Sequence, residues 1–308
     1  MRTVFNEELL KIAENDSRVF MVLADIGYGE IEPFAARFPE RYFNCGVAEQ
    51  NMTGVACGLA LEGNIAVTYS IANFPTLRCL EQIRNDVCYH KANVKIAIIG
   101  GGMAYGPLGV SHHSTEDIAI MRALPEMIVL APADRIEARA AVHAMMEHEG
   151  PVYYRCGYKK EPNIHKGSID FRIGKSIEVR SGTDITLIGT GTVTYRVCQA
   201  ADLLEAKGIN ARVISMHTVK PLDREAVLKA ARETDALVTV EEHNICGGLG
   251  SAVAQVLAEA GAGVPLRMVA LPDTYIHEVG THDWLLDRYG FSPRNIADTA
   301  GKLIGAGL

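Results

Sequence analysis

Among its 308 residues the chain has no uninterrupted apolar run of the length that a membrane span requires. Its first residues, M-R-T-V-F-N-E-E-L-L-K, have neither the apolar core nor the cleavage site of a secretory leader. Lysine and arginine number 30 against 37 acidic residues, and the net charge of −7 argues against a nucleic-acid binder, which shows a basic face. Seven cysteines form no C-x-x-C pair, and none of their spacings suggests a zinc site. An odd number of thiols scattered through apolar segments, as at Cys57, Cys88 and Cys198, is expected of a cytoplasmic protein with reduced, buried cysteines. Internal repeats and low-complexity tracts are also lacking. What is there is ordinary for a soluble α/β protein: 48% hydrophobic and 22% charged residues, in a chain long enough for two domains.

The apolar pattern alternates between two periods. T-V-F-N-E-E-L-L-K-I-A-E (3–14) has apolar positions at helical spacing, and V-F-M-V-L-A-D-I (19–26) is the continuous aliphatic run of a buried parallel strand. Further strands are expected at 65–70, 94–100, 127–132 and 151–155, separated by helices that include 79–90, 115–124 and 134–149. From Tyr158 to Gly182 the pattern loosens into a linker. Strands then recur at 184–192, 211–216, 236–243 and 265–271, with helices between them. Alternating strands and helices imply right-handed crossovers and parallel sheets covered on both faces. The expected architecture is α/β with two doubly wound domains, 1–168 and a smaller 169–308.

One stretch stands out chemically: N-C-G-V-A-E-Q-N-M-T-G-V-A-C-G-L, residues 44–59. Glu49 opens a Gly- and Ala-rich helix among apolar neighbours. Taken alone, an acid in a first helical turn is most often there because the helix dipole favours it. A carboxyl buried without a partner would instead stay protonated and could donate a hydrogen bond to a ligand nitrogen. A second stretch, G-V-S-H-H (109–113), places two histidines in a Gly-rich loop after a strand, where open sheets carry their sites. Taken alone it reads as a surface loop, although neutral imidazoles can relay protons near pH 7. G-T-G-T (189–192) leaves G-x-G-x-x-G incomplete, because residue 194 is Thr, and is read as a tight strand-to-helix turn.

G-V-A-E-Q-N-M followed by G-x-A-x-G-L-A resembles the thiamine-diphosphate segment of transketolases, deoxyxylulose-phosphate synthases and the beta subunits of 2-oxo-acid dehydrogenases. The resemblance covers nearly the whole chain. It implies a pyrimidine-binding domain followed by a transketolase C-terminal domain, the latter contributing mainly to subunit association. It implies that Glu49 bonds the cofactor's aminopyrimidine and promotes the tautomer that deprotonates the thiazolium carbon. The loop is similar to the family's G-x-T-H, so His112, helped by His113, is implied to relay protons beside cofactor and substrate. Aromatic rings stack on the pyrimidine in the family, with Tyr69 and Phe74 the candidates here. Asp25 and Gly46 fall at strand and loop ends expected to face the cofactor. Arg78, Arg155 and Lys159 are the candidate cations for an anionic substrate group, with Lys160 beside them. Glu241, Glu242 and His243, within V-E-E-H-N-I-C-G-G-L-G-S-A, resemble terminal-domain residues with structural or interfacial roles.

Departures from the family bear on architecture and substrate. The family binds the cofactor's magnesium and diphosphate through G-D-G and a following Asn on a separate domain, and no G-D-G occurs here. The resemblance therefore implies the small, carboxyl-terminal subunit of a split transketolase, with no metal ligands of its own. It would pair with an amino-terminal, pyrophosphate-binding subunit as α2β2, which would hold Mg2+ and diphosphate. Gly100 stands where transketolases carry a sugar-contacting histidine, and Leu108 where they carry an acid. This points away from pentose phosphates and toward a specialised ketol or acyl transfer from a ketose or 2-oxo acid. Two rivals remain: a 2-oxo-acid dehydrogenase beta subunit, and a non-catalytic family member that docks onto a partner.

Overall fold

The structure, a computed structural model, describes residues 1–157 and 161–305. Seven strands form the first sheet: β1 (Val19–Leu23), β2 (Tyr42–Asn44), β3 (Ile65–Ile71), β4 (Val94–Ile99), β5 (Ile128–Leu130), β6 (Val152–Cys156) and β10 (Thr218–Lys220), in the order β10-β5-β6-β4-β3-β1-β2. Five form the second: β7 (Ile177–Arg180), β8 (Ile185–Thr190), β9 (Ala211–Ser215), β11 (Leu237–Asn244) and β12 (Leu266–Leu271), in the order β12-β11-β8-β9-β7. Pairing is parallel except at one edge of each sheet, where β10 and β7 run antiparallel to β5 and β9. The central strands β4 and β8 are buried along their whole length, as their mostly aliphatic sequences require once helices cover both faces, and β4 buries Lys95 as well.

β10 bears on the expected division at 168/169. It lies past the linker yet adds an edge strand to the first sheet, so the two halves of the chain are interlocked. One hydrophobic core also runs from the first half of the chain (Met52, Ile96, Ile118) into the second (Ile188, Met216, Val253). The linker itself is held by Asp134, the N-cap of the helix Arg135–Glu147. Its Oδ1 accepts from the amides of Ile136 and Glu137, and its Oδ2 from those of Ile164 and His165.

Several elements are shorter or of another type than expected. The helix anticipated over 79–90 begins as a short α-turn, Leu80–Gln82, and continues as the π-helix Ile83–Cys88. Two helices complete the chain, His282–Arg288 and Pro293–Leu303, each with a hydroxyl N-cap, Thr281 and Ser292. All seven cysteines are free; Cys57 and Cys88 are buried as expected, whereas Cys198 is only partly so. Among the described residues no helix is long and apolar enough to cross a membrane.

Candidate active site

At the carboxyl edge of the first sheet, chain reversals after β1, β2 and β3 converge with the loop after β4. Asn44, the last residue of β2, organises the first of these. Its Oδ1 accepts from the amides of Asp25 (3.0 Å) and Gly46 (3.0 Å), and its Nδ2 donates to Asp25 Oδ1 (3.1 Å). Asp25 sits in the left-handed region at φ 54°, and its carboxylate also accepts from the Tyr28 hydroxyl at 2.8 Å. That hydroxyl, then Asn44, holds the Asp25 pKa below the ordinary carboxylate value. Gly46 has φ 69°, a conformation in which a side chain would be strained, and turns the chain into the helix Glu49–Leu61.

Glu49 is the first residue of that helix and is 2% exposed. It is buried with a partner: Arg78 Nη1 donates to Glu49 Oε2 at 2.7 Å. The guanidinium of Arg78 lies 5.0 Å from the centre of the Phe74 ring. Phe74 in turn meets the His112 ring edge-on, centroids 5.2 Å apart and planes at 68°. Asn73 Nδ2 donates to the Ser111 carbonyl at 2.7 Å, tying the short helix Asn73–Leu77 to the His112 loop. Ser111 Oγ lies 3.0 Å from His112 Nδ1. Glu49, Arg78, Phe74 and His112 thus form one continuous line of contacts from a buried carboxylate to a half-buried imidazole.

Other candidates lie elsewhere. Tyr69 does not face this line. Side chains alternate along β3, and Tyr69 falls on the face packed against Phe5 (5.8 Å between centroids), opposite the Glu49 helix. It is 2% exposed, burial raises its pKa, and Asn6 Nδ2 approaches its hydroxyl at 3.5 Å. Phe74 is left as the aromatic beside Glu49. Arg155 does not extend toward a substrate either: it is 6% exposed, with Nε donating to Asp117 Oδ2 at 2.8 Å and Nη2 to the carbonyls of Ser114 and Glu242. Arg78, expected to wait for a substrate anion, is engaged with Glu49 instead. His113, adjacent to His112, points inward; it is 4% exposed and neither ring nitrogen has a hydrogen-bond partner. Burial lowers its pKa, opposed by the charge of Glu242. Lys159 and Lys160 lie outside the described residues. Asn44, which organises the turn into the Glu49 helix, was not among the candidates from sequence; its signal was its place at the head of the 44–59 stretch.

Residues 1–158 match the family described as "Transketolase, pyrimidine binding domain", and residues 174–296 match "Transketolase, C-terminal domain". The chain belongs to the transketolase family. It is 38% identical over 305 residues to a subunit of the apulose-4-phosphate transketolase of Phocaeicola vulgatus, covering 98% of this chain and 97% of that one. It is 38% identical over 304 residues to the 6-deoxy-6-sulfo-D-fructose transketolase subunit SqwH of a Clostridium species, covering 98% and 94%. A solved structure titled "Split gene transketolase, inactive beta4 tetramer" superposes with a TM-score of 0.89 at 39% identity, over 99% of this chain and 98% of that one. Against the deoxyxylulose-phosphate synthase of Heliobacterium modesticaldum the identity is 37%, but the chain spans only 47% of that enzyme's length. The chain is thus a small subunit of the split transketolase type, and the dehydrogenase and non-catalytic readings are not favoured.

The family is thiamine-diphosphate-dependent, and the residues of the Glu49 line fit the aminopyrimidine half of that cofactor: an acid at a helix start, a partly exposed aromatic ring and an imidazole. Among the described residues no group of three or more His, Cys, Asp and Glu side chains comes together to hold a metal ion.

Proposed function

We propose that this chain is the pyrimidine-side half of a two-chain transketolase. It transfers a two-carbon ketol or acyl unit from a ketose or 2-oxo acid donor to an aldehyde or ketone acceptor. The observation that carries the reading is the line Glu49–Arg78–Phe74–His112 at the carboxyl edge of the first sheet. Thiamine diphosphate, when bound, supplies the electron sink for carbon–carbon cleavage. Glu49 would bond the aminopyrimidine ring, and Phe74 would offer it an aromatic face. Arg78, which now bonds Glu49, would have to release or share that carboxylate. His112 would accept and return the proton of a substrate hydroxyl through its Nε2, its Nδ1 being beside Ser111 Oγ. Asp25 and Gly46 would border the cofactor from the Asn44-organised turn.

Mg2+ and the diphosphate would be held by an amino-terminal partner subunit, in an α2β2 assembly. Exposed apolar side chains around the site support a covering surface: Tyr28, Val47, Leu77, Leu108 and Val110 are each more than 45% exposed. Seven free thiols fit a cytoplasmic enzyme of carbohydrate metabolism. The test is turnover of hydroxypyruvate or a ketose phosphate with an aldose acceptor, in the presence of thiamine diphosphate and magnesium. Turnover by the mixture of this chain and its amino-terminal partner, absent from either alone, is expected. Absence of turnover and of cofactor binding in the mixture would refute the reading.

A further inference from the structure

The loop that carries His112 leaves β4 through Gly100–Gly102 and returns at Ser114. Gly102 and Ser114 close its neck with two backbone hydrogen bonds, Gly102 N to Ser114 O at 2.9 Å and Ser114 N to Gly102 O at 2.8 Å. The second domain reaches into this neck. Glu242, on β11, is 2% exposed, and its Oε1 accepts from the Met103 amide at 2.5 Å. The same oxygen lies 2.9 Å from His282 Nε2, at the start of the helix His282–Arg288. The neck wraps so closely around the carboxylate that a Cβ at Gly102 would lie 2.5 Å from Glu242 Cδ, and the backbone there has φ 69°. No side chain could stand at Gly102 without displacing Glu242.

From the other side Arg155 Nη2 donates both to the Ser114 carbonyl (3.2 Å) and to the Glu242 backbone carbonyl (3.0 Å). The neck is therefore gripped between strand β6 of one domain and strand β11 of the other. Two buried groups inside the grip lack hydrogen-bond partners, Glu242 Oε2 and both ring nitrogens of His113. Leaving such groups unpaired costs free energy. A carboxylate kept here at that cost, when its formal contacts are to one backbone amide and one imidazole, has a use in fixing the loop.

We propose that Glu242 is a positioning residue for the transfer reaction: a second-domain carboxylate that sets the neck of the Gly100–Ser114 loop and thereby places His112 against Phe74. The inference rests on the reading of His112 given above. It assigns to the second domain a part in the active site beyond subunit association. Glu242 touches neither substrate nor cofactor in this account, and acts through the Met103 amide and the loop.

The experiment uses histidine labelled with 13C at Cε1 in the full chain and in its complex with the amino-terminal subunit, as wild type, Glu242→Ala and Glu242→Gln. The glutamine can still present an oxygen to the Met103 amide, whereas alanine cannot. In Glu242→Ala the His112 ring resonance should move, although His112 is ten residues past Gly102 in sequence. In Glu242→Gln it should stay near its wild-type position. In the complex, kcat of Glu242→Ala should fall by about 10- to 100-fold, the scale of a small misplacement, with KM for the donor little changed. Glu242→Gln should recover most of that loss. An unmoved His112 resonance in Glu242→Ala, or equal kcat in all three proteins, would overturn the proposal. If the alanine variant does not fold, His282→Ala, which removes the second partner of the same oxygen, replaces it with the same expected shift. Failure of the wild-type complex to turn over would count against the proposed function alone, because the resonance of His112 reads the loop without turnover.

Discussion

The two ends of the site are built differently. The Glu49 end is local: Asn44, Gly46 and Glu49 lie within six residues, and Asn44 fastens them to the end of β1. The His112 end is assembled from far apart, its neck held by Arg155 on β6 and Glu242 on β11. A local cradle keeps its shape as long as one sheet edge is intact. The loop keeps its shape only if both domains are in register. In the proposed assignment, the side chains that would contact the cofactor can therefore sit on the first domain alone, while the placement of the His112 imidazole depends on the whole chain.

Substitutions should separate the two ends. The largest effect is expected at the local end. Glu49→Gln should lower turnover of the assembled enzyme by about 10²- to 10⁴-fold, the range for removing a general acid–base group, and should leave the melting temperature near that of wild type. Steady-state assay and thermal melting together check it. At the assembled end, Asp117→Ala would leave the Arg155 guanidinium buried beside Glu242 without its carboxylate, and Tyr153 Oη without its acceptor at 2.7 Å. Breaking a buried pair by removing one partner costs about 3–5 kcal/mol. Denaturant unfolding should show that loss, and a stability unchanged within error would contradict the two-domain grip.

His112→Gln is expected to reduce kcat by about 10²-fold with the fold unaltered; an unchanged kcat would remove His112 from the mechanism. The smallest effect belongs to a control remote from both ends. Glu8 is buried under the first sheet, and burial alone would raise its pKa, but bonds from Lys11, Arg139 and His143 outweigh this and lower it to about 2. Because the folded value lies below the unfolded one, the stabilisation is complete above about pH 4.5 and is lost as pH falls toward 2. Glu8→Gln should therefore cost about 3 kcal/mol at pH 7, a difference that is largely lost as pH falls to about 2, with no change in kcat. A kcat that followed Glu8 would show that stability, rather than geometry, governs activity in this chain.

The strands were legible because runs such as V-K-I-A-I-I have no other use than a strand buried on both faces. The same property hid the direction of Tyr69. With every residue from Ile65 to Ser70 buried, no alternation marks which face carries the ligand. Glu49 and His112 became candidates through their surrounding words, whereas the pairing of Glu49 was not legible: Arg78 is 29 residues away. Arg155 was a candidate substrate cation through its resemblance to the family's phosphate-reading arginine, but on β6 it is turned toward Asp117. β10 and Glu242 were out of reach for a different reason. Their contacts join residues 87 to 139 positions apart, or cross from one sheet to another, and no local pattern encodes them.

On the proposed reading this chain supplies the aminopyrimidine side of a site whose diphosphate side is on another subunit. Titration calorimetry of thiamine diphosphate with magnesium tests it most directly, on this chain alone and after mixing with its amino-terminal partner, for wild type and Glu49→Gln. The account predicts binding only in the mixture, weakened in Glu49→Gln. Tight binding by this chain alone would contradict it.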